Sequence, residues 1–74
     1  MNILEEIKKV FQENGIKQTI TMDTVFKDLG IDSLDLMDLV IIAEKKLNVR
    51  IPDDKLMDIN KVSDLVAIIE ELKK

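Results

Sequence analysis

Apolar residues return at helical intervals along most of this chain, and one stretch departs from that rhythm. Over residues 3–14 the apolar positions are Leu4, Ile7, Val10 and Phe11, with Ile3 flanking, while Glu5, Glu6, Lys8, Lys9 and Glu13 fall on the other side. That spacing predicts an amphipathic helix. Asn2, with Glu5 three residues later, suits a capping box at its start, and Asn14-Gly15 supplies the left-handed residue that ends it. Residues 16–31 show no sustained period. Ile20, Val25, Phe26 and Leu29 are expected to pin this long loop to the core, with a single helical turn over Thr24–Leu29 closed by Gly30.

Helical spacing then resumes. Asp32 is placed to cap a second helix from Ser33 to about Leu47. Pro52-Asp53-Asp54 marks a turn and the start of a short third helix ending near Asp58. Asn60 is placed to cap a fourth, in which Val62, Leu65, Val66, Ile69 and Leu72 recur and which Lys73 and Lys74 close with favourable charge. No segment alternates as a half-buried strand does. The prediction is an all-α, antiparallel four-helix bundle with three main helices, one short third helix and a long loop between helices 1 and 2, all within a single domain over residues 1–74.

The second helix carries more apolar residues than one face can hold. Leu36, Leu39, Val40, Ala43 and Leu47 form one stripe; Leu34, Met37 and Ile41 fall on a neighbouring face beside Asp38 and Glu44. In so small a bundle, burying a helix on every side is hard to arrange. The acid-rimmed patch therefore reads as a partner surface, to which methionine lends adaptability.

Composition narrows the chemistry. The chain has no cysteine, histidine, tryptophan or tyrosine, so disulfides, thiolate metal sites and histidine-based catalysis are excluded, and no metal site is expected. The net charge is −4, and most of the excess lies in residues 32–58, where seven acids face four bases. A negative surface argues against nucleic acid and anionic membrane and favours partners with basic patches. The amino terminus is an acidic amphipathic segment, not a secretory signal, and the longest apolar run, Leu39–Ala43, is far too short to span a bilayer. A soluble, cytoplasmic, monomeric protein is the expectation.

What remains is Ser33, set between Asp32 and Asp35 directly after Leu29-Gly30. A serine at a helix start is ordinarily a capping residue. Here Asp32 is available for that task, which frees the Ser33 hydroxyl. A helix amino terminus also favours a covalently held phosphate.

With its flanks, this segment resembles the acyl carrier protein family. The likeness rests on Phe26-x-x-Leu29-Gly30-x-Asp32-Ser33-Leu34-Asp35, the apolar-acidic helix that follows, and Ile51-Pro52-Asp53. The resemblance implies a non-catalytic carrier: Ser33 holds a 4′-phosphopantetheine arm, delivered from coenzyme A by a phosphopantetheinyl transferase with Mg²⁺, with Asp32 and Leu34 beside it. The arm's thiol carries acyl groups as thioesters between enzymes of fatty acid or related lipid and polyketide synthesis, which suits a chain lacking its own sulfhydryl. It further implies that Asp35, Met37, Asp38, Ile41 and Glu44 meet basic docking patches on the acyl-loading and acyl-processing enzymes, and that a growing chain tucks between the helices. Lys45, Lys46 and Arg50 interrupt the acidic run usual in fatty-acid-synthesis carriers. They read either as charges complementing the helix dipole or as the mark of a dedicated partner set. Two other functions stay open on the residues alone: a carrier of aminoacyl or other specialised cargo, and an unmodified acidic helical adaptor.

Overall fold

The computed structural model describes residues 2–73; the side chain of Ser33, and Lys74, expected to add charge at the close of the fourth helix, lie outside the described residues. Four α-helices follow one another, α1 (Ile3–Glu13), α2 (Ser33–Leu47), α3 (Asp53–Leu56) and α4 (Val62–Leu72), with one 3₁₀ turn at Phe26–Leu29 inside the long first loop. Local chemistry accounts for most of these ends. Asn2 Oδ1 accepts the Glu5 N–H at 3.3 Å, and Asp32 Oδ1 accepts the Asp35 N–H at 2.9 Å. Past the helix ends, Gly15, Gly30 and Asn48 take the left-handed backbone conformation, with φ of 93°, 75° and 56°. Glycine does so without steric cost, and Asn tolerates it better than most residues.

α4 starts differently from the expectation. Asn60 does not cap it. Lys61 occupies the cap position, and the carboxylate of Asp64 reaches back to accept the N–H groups of Asn60 and Lys61 at 3.0 and 3.1 Å. The next two N–H groups, of Val62 and Ser63, donate to the loop carbonyls of Thr24 and Met22 at 2.9 and 3.0 Å. Phe26 N–H completes the clasp on Asn60 O, and Val25 and Lys61 form an isolated antiparallel bridge. Helix starts leave N–H groups without intrahelical acceptors. Here the first loop satisfies two of them, and α4 in turn fixes the loop.

The core is aliphatic around two rings. Ile7, Val10, Phe11, Val40, Val62, Leu65 and Ile69 are sealed from solvent, and Phe26 folds in so that its ring lies 5.6 Å from that of Phe11. Val40, Ala43 and Leu47 bring the predicted stripe of α2 into this core.

Helix direction refines the antiparallel expectation. The start of α4 lies by the start of α2, since Asp32, Leu36, Ile59 and Asn60 border one small cleft. At the other end, the Lys73 ammonium donates to Leu47 O at 2.8 Å. α2 and α4 therefore run in the same direction. The end of α1 lies across the middle of α2: Asn14 and the following Ile16 border Asp35, Asp38, Leu39 and Ile42, and Glu13 reaches Lys46. Residues 48–61 are long enough to return the chain along the roughly 22 Å of α2. Lys73, expected to serve the end of its own helix, caps that of α2 instead.

Candidate functional site

The start of α2 is a corner where the loop arrives through Leu29, Gly30 and Ile31. Gly30 accepts the left-handed turn that ends the 3₁₀ segment, with its N–H bonded to Lys27 O. Ile31 is buried and anchors the approach, after which Asp32 and Leu34 stand in solvent on either side of Ser33. Ser33 is the first residue of α2. Asp32 performs the cap, as its bond to the Asp35 N–H shows. The Leu34 N–H has no acceptor among the described residues and is directed along the helix dipole, the arrangement that receives a phosphate oxygen. These features fit a phosphopantetheine: an open helix start, a donor left over after capping, and exposed flanks with room for the arm.

From that corner the outer face of α2 leads away. Leu34 is 72% exposed, Met37 45% and Ile41 42%, and Asp35 and Asp38 stand exposed around them. The structure thus brings together Leu34, Asp35, Met37, Asp38 and Ile41 on one accessible surface. Glu44 is not part of it. That side chain is half-buried, and its Oε2 accepts the backbone N–H of Ile51 at 3.1 Å, tying the end of α2 to the turn before α3. Helical spacing and the family resemblance put Glu44 on the docking face; a backbone donor seven residues on engages its carboxylate instead.

The sequence reading gave no surface role to two exposed apolar residues that flank this face. Met57, just past α3, is 86% exposed, and Ile42 is exposed on the other flank of α2. With Met37, Met57 forms the lips of an open groove of about 580 Å³ between α2 and α3, floored by Leu36, Leu56 and Ile59. Met57 had a faint signal: a four-residue helix cannot turn both Leu56 and the adjacent Met57 to the core.

A serine at a helix start between the exposed Asp32 and Leu34, beside an acid-rimmed apolar face and next to an apolar groove, is the arrangement of a protein built to be modified and handed between partners. Comparison with known proteins agrees. The family model described as a phosphopantetheine attachment site matches residues 2–69. An acyl carrier protein of Helicobacter pylori is 40% identical over 99% of this chain and 97% of its own length; one of Campylobacter lari is 38% identical over the whole of both. The crystal structure of an acyl carrier protein from Thermotoga maritima superposes with a TM-score of 0.81 at 32% identity, covering 96% of this chain and 85% of that one.

The chain belongs to the acyl carrier protein family. It is a non-catalytic carrier with an acyl carrier role in fatty acid synthesis, and its prosthetic group is a covalently bound 4′-phosphopantetheine. It works with a phosphopantetheinyl transferase and with synthesis enzymes. No described helix is long and apolar enough to cross a membrane.

Proposed function

We propose that Ser33 carries the 4′-phosphopantetheine. The observation that carries this reading is that Asp32 caps α2, leaving the adjacent serine at an open, dipole-favoured helix start. The chain's other serine, Ser63, offers no such position: it is half-buried, and its N–H is bound to Met22 O. In the transfer, the Ser33 oxygen bonds to the phosphorus of the arm, the pyrophosphate bond of coenzyme A breaks, and the nucleotide leaves. Asp32 supports the Mg²⁺ that serves this step.

Leu34, Asp35, Met37, Asp38 and Ile41 form the face that partner enzymes engage, through basic groups that steer encounter and through apolar contact at its centre. Glu44, engaged with Ile51, is left out of that set. The groove floored by Leu36, Leu56 and Ile59 receives the acyl chain. The full chain, residues 1–74, acts as one monomeric carrier domain in the cytoplasm, where coenzyme A supplies the arm.

The test is the intact mass of the apo protein after incubation with coenzyme A, Mg²⁺ and a phosphopantetheinyl transferase, beside Ser33→Ala and Ser63→Ala. The expected result is a gain of one phosphopantetheine in wild type and Ser63→Ala and none in Ser33→Ala. A gain in Ser33→Ala overturns the assignment of the serine.

A further inference from the structure

The outer line of α2 runs Leu34, Asp38, Ile41, Lys45, at intervals of four, three and four residues, the spacing of one helix face. Its charge changes sign along the way. The exposed carboxylates of α2, Asp35 and Asp38, lie in its first half, and Glu44 is drawn off to Ile51. The end of the helix is basic.

The two lysines there are not equivalent. Lys46 reaches across to Glu13 of α1 at 3.1 Å and holds two helices together. Lys45 is exposed, and among the described residues no carboxylate lies within ion-pairing distance of it. Arg50, just beyond the helix, is likewise exposed and has no ion-pair partner among the described residues.

The helix dipole does not account for Lys45. The carbonyl end of α2 is already served: Asn48 and Val49 both donate their N–H groups to Glu44 O, and the Lys73 ammonium sits on Leu47 O. Lys45 adds a cation to an end that has one, and it does so on the face that carries Asp38 and Ile41.

We infer that enzymes docking on this carrier meet α2 with a surface of two signs: basic groups opposite Asp35 and Asp38 and, about 10 Å further along the helix, an acidic side chain opposite Lys45 and Arg50. Ile41, between the two ends, takes the apolar contact. This inference rests on the proposal that Leu34–Ile41 is the docking face and extends it by one further turn. A partner with a uniformly basic patch gains from losing Lys45, whereas a partner of two signs loses by it. The sign of the effect separates them.

The experiment uses the apo protein, coenzyme A, Mg²⁺ and the phosphopantetheinyl transferase of the same organism, at low and at high salt. Wild type is compared with Lys45→Gln, Lys45→Glu, Arg50→Glu and Asp38→Lys, each checked for folding by thermal melting. Lys45→Glu is expected to lower kcat/KM roughly fivefold at low salt, with Lys45→Gln between it and wild type and the loss fading as salt rises. A rise or no change in kcat/KM for both Lys45→Glu and Arg50→Glu overturns the inference while leaving Ser33 as the attachment point. Wild type that gains no mass sinks both. A dimer that Lys45→Glu dissociates also overturns it, by assigning the face to a second copy.

Discussion

Glu44 and Ile51 are joined across the turn that follows α2, the carboxylate Oε2 accepting the backbone N–H at 3.1 Å. Ile51 itself is buried, so the bond holds the point where the chain leaves α2 for α3. Removing the acceptor leaves a partly buried donor unsatisfied. Glu44→Ala is therefore expected to cost about 1–2 kcal/mol, read from urea denaturation, whereas Asp38→Ala changes stability little. In transfer kinetics the order reverses: Asp38→Ala slows the partner enzymes more than Glu44→Ala does.

Asp32 caps α2, and substitution can separate that task from its proposed part in the transfer. Asn keeps an oxygen for the Asp35 N–H but lacks the charge proposed to support the metal of the transferase. Asp32→Asn is expected to leave the melting temperature near that of wild type while slowing phosphopantetheine attachment. Asp32→Ala should slow attachment as well and lose about 1 kcal/mol of stability. Calorimetry beside a mass-based rate assay checks both; equal attachment rates for Asp32→Asn and wild type would remove the carboxylate from the reaction.

Asp64 makes the clasp at the start of α4 sensitive to acid. The Asn60 and Lys61 N–H groups that it accepts hold its carboxyl below the usual carboxylate range, with Lys61 charge helping and partial burial opposing. A carboxyl lowered on folding contributes stability above its unfolded pKa and loses it as pH falls through the folded value. Asp64→Ala is expected to be less stable than wild type by about 1 kcal/mol at pH 7, and the gap should narrow as pH falls through the lowered pKa of Asp64. A gap that stays unchanged through the whole acid limb, down to the acid unfolding of wild type, would show that the carboxylate charge is not what holds the clasp.

Phe11 is sealed from solvent and packs its ring against Phe26, so it joins α1 to the loop that delivers Ser33. Phe11→Ala is expected to cost about 3–5 kcal/mol, a large share of what a domain this small possesses. Ile41→Ala, at a site 42% exposed, should cost under about 0.5 kcal/mol and act mainly on partner kinetics. Denaturation midpoints of the two variants make the comparison.

If the groove between α2 and α3 takes the cargo, loading a medium-length acyl chain onto the arm shifts the backbone NMR signals of Leu36, Leu56 and Ile59 relative to the unacylated arm-bearing form. Changes confined to the residues around Ser33 would show that the chain stays in solvent.

The starts of α1 and α2 and the turns that end them were legible in the chain itself, because they depend on groups a few residues apart. Asn2 with Glu5, Asp32 with Asp35 and the turn at Asn14-Gly15 are contacts over three residues or fewer, and they act much the same in any fold. The apolar stripe of α2 and its exposed surplus follow from the 3.6-residue period, which needs no knowledge of neighbours. Tertiary structure decided the rest. Whether Glu44 faces a partner or Ile51 depends on where the next turn brings a free N–H. Whether Lys45 or Lys46 is spent on an ion pair depends on the approach of α1. Direction was likewise outside the pattern: periodicity is the same read up or down, and only the return of residues 48–61 along α2 set α4 parallel to it and let the first loop cap its start. The contacts of α1 with α2, of Lys73 with Leu47 and of the first loop with α4 join groups some twenty to forty residues apart, and chain closure over such lengths leaves no local signature in the order of residues.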